Sequence, residues 1–449
     1  MAAGEGKPIG RATVEVSLEY PGKTPRSDVL NTTPAKTALV AGAPGEINRL
    51  YFGDNLGVLA GLAIDPQVAR QIRLVYIDPP FATQSNFQSR KLQHAYDDML
   101  AGPAFIEFLR QRLILIHQLL ADDGSLYVHL DERMAFHFRI ILDEIFGPQN
   151  YRNCITRKKC NPKNYTRNSF GNVADYILFY SKSDKYVWDR AMQPWDDERA
   201  KSEYQYTDRE TGRRYKKVPV HAPGVRNGET GKEWKGKLPP PGKHWQYPPR
   251  VLDEMDARGE IYWSPTGNPR RKIYFDKSEG IPLQDIWTDV RDAHNQNVRI
   301  TGYPTEKNPE ILKRIILASS NPGDLVLDCF AGSGTTLAVA SELDRRWIGI
   351  DKSPVAIRTI LKRFAHGLEV MGDFVSNVAD ERPQMGLFAA TKNEGESDAS
   401  RSTGHIPVTN FSLFATEDLR AEAEKLIPED SSAPGSIEHS QPAFHEYQN

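Results

Sequence analysis

The tetrapeptide Asp78-Pro79-Pro80-Phe81 follows directly on the apolar run Leu74-Val75-Tyr76-Ile77. Two prolines fix the backbone and contribute no N–H donors. The Asp78 carboxylate and the Pro79 carbonyl can therefore project past a strand end as a pair of acceptors, with no local donor competing for them. Phe81 adds an aromatic face beside them. Two acceptors next to a stacking platform suit a planar ring that carries an exocyclic amine. Asp-Pro-Pro is equally good chemistry for a plain turn, and taken alone the tetrapeptide leaves both readings open.

A second segment, Asp328-Cys329-Phe330-Ala331-Gly332-Ser333-Gly334-Thr335-Thr336, reads as a strand, a tight turn and a helix start. Gly332 and Gly334 permit the turn and let a ligand approach the backbone. Asp351 ends the following apolar run, where a carboxylate can accept hydrogen bonds from ribose hydroxyls. A nicotinamide fingerprint would need a third glycine where Leu337 stands. The third glycine lets helix and strand pack closely, so a nucleoside cofactor without a pyrophosphate suits this turn better. An ordinary Gly-rich turn is the alternative.

These segments need elements to hold them. The chain has 449 residues, 39% hydrophobic and 26% charged, with a formal net charge of -2. That composition fits a soluble globular protein of about two or three domains. No apolar run reaches the ~18 residues of a membrane span, and the N-terminus lacks a secretory pattern, which together indicate a cytoplasmic protein. Three cysteines, Cys154, Cys160 and Cys329, cannot build a disulfide framework or a four-ligand zinc site. No metal is expected.

Strand and helix patterns alternate in two blocks. The first predicts a helix at Ala104 to Leu120, a break at Asp122-Asp123-Gly124, and a strand at Ser125 to Leu130. A helix at Met134 to Phe146 and a strand at Tyr176 to Tyr180 complete it. The second predicts a strand at Leu325 to Asp328, a helix at Thr335 to Leu343, a strand at Arg346 to Ile350, and a helix opened by Pro354. Such alternation argues for an α/β fold with a doubly wound, mostly parallel sheet. Ligands of such sheets sit at the carboxyl ends of the strands, where both segments fall.

The near-zero total charge hides unlike regions. Residues 151–280 hold 27 Lys+Arg and 17 Asp+Glu, a net +10, while 381–449 hold 5 and 12, a net -7. Trp188, Trp195, Trp234, Trp245 and Trp263 lie in the basic block. Basic charge interleaved with flat rings suits a polyanion whose bases can stack; a solvated basic face over an aromatic core fits as well. Arg213, Arg214, Lys216 and Lys217 form the densest basic cluster, and Arg157, Lys158 and Lys159 a second one. Ala12 to Tyr20 could form an edge strand. The tail from about 385 is expected to be mostly disordered, with a short helix at Glu417 to Leu426.

The residues resemble the amino-methylating, S-adenosylmethionine-dependent DNA methyltransferases. Asp78-Pro79-Pro80-Phe81 is similar to their catalytic motif, and Phe330-Ala331-Gly332-Ser333-Gly334 to their methionine-binding motif. Tyr303-Pro304-Thr305-Glu306-Lys307 resembles the segment leading into the cofactor motif, and Gly53-Asp54-Asn55-Leu56 the segment near the cofactor adenine. Catalytic motif first, basic block next and cofactor motif last is similar to the beta group, and the similarity spans roughly Tyr51 to His366. Phe81 departs from the commoner Tyr but keeps the stacking face.

The resemblance implies a Rossmann-like methyltransferase fold with an inserted target-recognition region. It divides the chain into an N-terminal extension (1–45), a catalytic half (46–184), a target-recognition insert (185–300), a cofactor half (301–384) and the acidic tail (385–449). It implies Asp78, Pro79, Pro80 and Phe81 as catalytic residues. It implies Asp54, Thr305, Glu306, Lys307, Asp328, Phe330, Ala331, Gly332, Ser333, Gly334, Thr335 and Asp351 as cofactor-binding residues. The partner would be double-stranded DNA, with a homodimer and a restriction subunit both admissible. Asp at position 78 resembles adenine-modifying members, so the expected product is N6-methyladenine. Cytosine-N4 methylation is the nearest alternative, followed by RNA or a protein glutamine as substrate and by a DNA-binding module without activity. Cytosine C5 chemistry is excluded, because Asn153, Lys159 and Asp328, rather than proline, precede the three cysteines. All of this requires Pro79 and Gly332 to face one cleft.

Overall fold

The computed structural model describes residues 16–43, 45–46, 48–80, 102–161, 168–292, 299–303, 306–370, 408 and 410–427. The described residues fall into two compact units, one of them residues 192–283 and the other the remainder.

The larger unit is built on ten strands. They are β1 (Thr37–Ala41), β2 (Asn48–Phe52), β3 (Ile72–Ile77), β4 (Leu120–Leu130), β5 (Tyr151–Lys158), β6 (Ala174–Ser181), β7 (Ile286–Trp287), β8 (Leu325–Asp328), β9 (Arg346–Asp351) and β10 (Phe411–Thr416). Their order across the sheet is β1-β10-β2-β9-β8-β3-β4-β6-β5-β7. From β10 through β4 six successive strands run parallel. Antiparallel pairings follow at β4/β6 and β6/β5, and one lies at β1/β10.

Helices cover both faces, as the near-continuous apolar runs of β3, β8 and β9 require. Val75, Ile77, Val128, Ile348 and Ile350 point to one face, with α1 (Asn55–Ile64), α2 (Pro103–Leu119) and α3 (Glu132–Phe146) packed there. Leu74, Tyr76, Tyr127, Val326 and Trp347 point to the other, under α4 (Pro309–Ser319), α5 (Thr335–Glu342) and α6 (Pro354–His366). Fully burying each such branched or aromatic side chain contributes roughly 1.5–3 kcal/mol. The strand after which the chain climbs to α2 (β3) is adjacent to the one after which it climbs to α5 (β8). The two helices lie on opposite faces, so the β3/β8 boundary is a topological switch point, where doubly wound sheets bind ligands.

Several elements differ from their sequence expectation. β4 starts at Leu120, directly after α2, and contains Asp122-Asp123-Gly124 as an irregularity: Ile72 pairs with Leu120, but Leu74 pairs with Ser125. A Cβ on Gly124 would stand 2.9 Å from the Ile72 carbonyl oxygen and 3.0 Å from that of Ala121, so glycine lets the insertion fold flat. α3 begins at Glu132, because the Asp131 side chain accepts the Arg133 and Met134 N–H groups as an N-cap. Residues 16–20 form no strand; the Leu18 N–H donates to Glu144 Oε1 at 2.6 Å instead. Residues 12–15 lie outside the described residues. Within the acidic tail, β10 inserts between β1 and β2, with Phe414 stacked on Tyr51 at 5.0 Å and Leu413 and Ala415 buried on the opposite face. A short helix, Arg420–Glu424, follows it.

The smaller unit carries a four-stranded antiparallel sheet in the order Ile261–Trp263, Pro269–Tyr274, Arg214–Pro219, Tyr206–Thr207. Val220, Trp234, Trp245, Leu252, Met255 and Ile261 form its core. Trp234 and Trp245 are 2% exposed, so these rings are core rather than stacking surface. Of the basic cluster, Arg214 donates to the Ala200 and Tyr204 carbonyls, and Arg213 pairs with Asp276 at 2.8 Å. Lys217 lies between the rings of Tyr206 and Tyr262, at 3.6 and 3.5 Å.

Candidate active site

The register of the parallel sheet brings the two motif turns together. Leu327 pairs with Val75, so Asp328 and Asp78 both leave the same edge of neighbouring strands. The carboxylates of Asp78 and Asp351 both add to the upward push that burial exerts on Asp328. Some 250 residues apart in sequence, the turns share one edge of the sheet.

The turn that follows β8 is tied down by its own residues and by the end of β9. The Phe330 N–H donates to Asp328 Oδ1 (3.0 Å), the Ala331 N–H to the Ile350 carbonyl (3.1 Å), and the Gly332 N–H to Asp351 Oδ2 (2.8 Å). The Gly334 N–H closes the turn on the Ala331 carbonyl at 2.7 Å. A pyrophosphate is held by backbone N–H groups that point at it, and here four of them are already spent. Gly332 and Gly334 both have positive φ, +52° and +73°. A Cβ on Gly334 would stand 2.9 Å from Ile360 Cγ1. The close helix–strand packing that a nucleotide fingerprint assigns to its third glycine is instead achieved by Gly349 of β9, where a Cβ would stand 2.4 Å from Leu337 Cδ1. The donor set and the glycine cradle fit a nucleoside cofactor without a diphosphate.

Burial pushes Asp328 up to about 7 and Asp351 up to about 6, with the hydrogen bonds each accepts working in the opposite direction. Asp328 also takes a hydrogen bond from the Thr336 hydroxyl at 2.5 Å. Asp351 is 4% exposed, and its second oxygen accepts the Ser353 N–H at 2.8 Å. Its carboxylate therefore sets the shape of the turn directly.

Asp78 stands at the end of β3 with Oδ2 2.8 Å from Lys307 Nζ. Its other oxygen, Oδ1, is buried and has no hydrogen-bond partner among the described residues. Pro79 is buried beside it. Phe81 and Thr305 lie outside the described residues. Glu306 is 5% exposed; its Oε2 accepts the Thr301 N–H and hydroxyl, both at 2.7 Å, and its Oε1 lies 3.3 Å from Arg363. Arg363 donates onward to Thr335 Oγ1 (2.9 Å) and the Ser333 carbonyl (3.4 Å). Tyr303 completes this side: a Cβ on Gly332 would stand 3.4 Å from its ring. Burial raises the Tyr303 hydroxyl, and the Asp351 and Asp78 carboxylates raise it further.

The upstream segment is tied to the same turn. Asp54 caps α1 by accepting the Leu56 N–H at 2.9 Å, and Asn55 Nδ2 donates to the Cys329 carbonyl at 2.7 Å. Arg112 of α2 donates to Asn55 Oδ1 and reaches Asp54 at 3.2 Å. Asn55 and Tyr303 lie in the motif segments without being expected as site residues themselves, and Arg112 and Arg363 lie outside every such segment. Arg112 and Arg363 had a signal: each is a charge within an apolar helical stripe, Leu109-Arg112-Leu113-Ile116 and Ile357-Ile360-Arg363-Phe364. A charge on a buried stripe must find partners.

Residues 72–362 match the family model described as DNA methylase. The chain is 48% identical over 386 residues to Type II methyltransferase M.EcaI of Enterobacter cloacae, covering 85% of this chain and 84% of that one. It is 27% identical over 328 residues to the Type III restriction-modification enzyme StyLTI Mod subunit of Salmonella typhimurium, covering 64% and 49%. It is 36% identical over 136 residues to DNA adenine methyltransferase YhdJ of Escherichia coli, covering 27% and 46%. Two motif turns meeting at a switch point, a cradle suited to a nucleoside, and a family match across most of the doubly wound unit agree: the chain belongs to the DNA methylase family that modifies exocyclic amines, and is an S-adenosylmethionine-dependent DNA methyltransferase.

Proposed function

We propose that this enzyme methylates the N6 amine of adenine in double-stranded DNA at a specific sequence, with the target base turned out of the helix. The observation that carries the reading is the Asp78 carboxylate: one oxygen is held by Lys307, and the other is buried and unpartnered among the described residues, at the strand end beside the cofactor turn. A buried oxygen without a donor costs stability, and an amine N–H would satisfy it. Asp at this position and the name of the YhdJ relative favour adenine over cytosine.

When bound, S-adenosylmethionine supplies an electrophilic methyl group. Phe330 to Thr335 would cradle it, with Asp328 and Asp351 shaping the turn and Asp54 and Glu306 at its margins. Asp78 Oδ1 and the Pro79 carbonyl would accept the two amine N–H groups, favouring a pyramidal nitrogen and freeing its lone pair. As the nitrogen gains its new carbon substituent it must release one proton, and the Asp78 carboxylate is the acceptor at hand. Turning the base out costs a few kcal/mol, and stacking on Phe81, worth ~1–3 kcal/mol, offsets most of it. The unit 192–283 falls inside the 185–300 stretch to which we assign target recognition, acting on DNA in the cytoplasm. The Mod-subunit relative makes a restriction partner a natural candidate for pull-down, and a homodimer is tested by the same material in ultracentrifugation.

Mass spectrometry of nucleosides from duplex DNA incubated with the enzyme and cofactor decides the base. N6-methyladenine is expected from the wild type and none from Asp78→Ala, whose cofactor affinity by calorimetry stays near wild type. N4-methylcytosine alone would overturn the choice of adenine. An Asp78→Ala enzyme that lost only DNA affinity would overturn the catalytic role.

A further inference from the structure

Adjacent residues of the 301–307 segment grip the two turns separately. Glu306 is bound through Arg363 to Thr335 and Ser333 of the cofactor turn, at 3.3, 2.9 and 3.4 Å along the chain of contacts. The next residue, Lys307, places its ammonium 2.8 Å from Asp78 Oδ2, with both side chains largely buried (12% and 15% exposed). The family resemblance implies a cofactor role for Lys307; in the structure its ammonium meets the Asp78 carboxylate.

An Asp side chain has two torsions and can present either oxygen to a substrate. An ammonium fixed on Oδ2 removes that freedom and leaves Oδ1, together with the Pro79 carbonyl, as the pair of acceptors. Because Lys307 follows Glu306 directly, the carboxylate is held in register with the turn that carries the methyl donor. Reacting atoms must meet within ~3–3.5 Å, and a misplacement of ~1 Å can cost 100-fold in rate. We infer that Lys307 is a positioning residue for methyl transfer, fixing Asp78 against the cofactor turn, and not a cofactor ligand. This rests on the assignment of Asp78 made above.

Single-turnover transfer of labelled methyl to duplex DNA, with cofactor affinity measured by calorimetry on the same full-length preparations, tests it. Lys307→Met should lower the transfer rate ~100-fold while cofactor Kd stays within about threefold. Lys307→Arg, which restores a cation that can bond a carboxylate, should recover about tenfold or more of that rate. A Lys307→Met enzyme with wild-type rate overturns the inference. So does one whose cofactor affinity falls in proportion to its rate, since that is the behaviour of a cofactor ligand, and so does an Arg variant no faster than Met. If the Met variant shows no melting transition, Lys307→Gln carries the same comparison. The variant-to-wild-type ratio is read whichever base the wild type methylates, so a wrong base assignment leaves this test intact.

Discussion

Removing Asp175 probes the buried polar network that reaches Tyr76 of β3. Tyr76 of β3 bonds His129 Nδ1 at 2.8 Å, and His129 Nε2 lies 2.9 Å from Asp175 Oδ2. Arg157, directly opposite Asp175 on β5, meets it through Nε at 2.9 Å and an Nη at 2.6 Å, and reaches Asp292 at 2.6 Å. The Arg157 and Asp175 side chains are 1% and 4% exposed, whereas that of Asp292 is 37% exposed. Asp175→Ala leaves a buried guanidinium with one partly solvated partner, and breaking a buried pair from one side costs ~3–5 kcal/mol. At ~2–4 °C per kcal/mol for a domain of this class, the melting temperature should fall by roughly 10 °C. The pH dependence adds a second reading. Burial alone would raise the Asp175 carboxyl, but His129 and Arg157 outweigh it and hold it well below the usual carboxylate range. A depressed carboxyl stabilises the fold above its unfolded value of ~3.9 and loses that contribution as pH falls through the folded value. The gap between wild type and Asp175→Ala, followed by thermal denaturation under circular dichroism, should narrow as pH falls below about 4. A variant melting within about 2 °C of wild type at pH 7 would refute the claim that this network is held together by charge.

Asp328 responds in the opposite sense: with its carboxyl pushed up to about 7, its ionisation costs stability as pH rises from about 4 through 7. Asp328→Asn should shrink the difference in melting temperature between pH 5.5 and 8, and an unchanged difference would count against a buried, proton-holding Asp328. Gly334→Ala places a side chain at φ +73° and 2.9 Å from Ile360. The left-handed backbone alone costs ~1–2 kcal/mol, and calorimetry should show the displaced turn binding S-adenosylmethionine about tenfold more weakly. Asp351→Ala leaves the Gly332 and Ser353 N–H groups without their acceptor. At ~1–3 kcal/mol for each orphaned group, cofactor affinity should drop at least about tenfold while a pre-loaded enzyme keeps its transfer rate.

Much of the site was readable because its chemistry is local. Asp78-Pro79-Pro80 and Phe330 to Gly334 each complete a turn within a few residues, and Leu325 to Asp328 begins and ends where its apolar run does. What escaped reading depends on contacts distant in sequence. No pattern around Lys307 announces that it pairs with Asp78, 229 positions earlier. Composition does not say which way a ring points, so a stacking surface and an aromatic core both fit the tryptophans, and Trp234 and Trp245 turn inward. The break expected at Asp122-Asp123-Gly124 became an insertion inside β4, since pairing with β3 resumes at Ser125. The short apolar segment Phe411 to Thr416 was masked by the acidic composition of the tail as a whole.

That last strand has a consequence for biosynthesis. β10 lies between β1 and β2, parallel to β2 and antiparallel to β1. Until residue 416 has cleared the ribosome, β2 carries an open backbone edge and β1 has no neighbour to pair with, although every residue of the two motif turns has been synthesised. Unpaired edges invite association with other chains. A nascent polypeptide stalled near residue 370 should therefore be protease-sensitive around β1 and self-associating, and should become resistant once the missing strand slots into the gap.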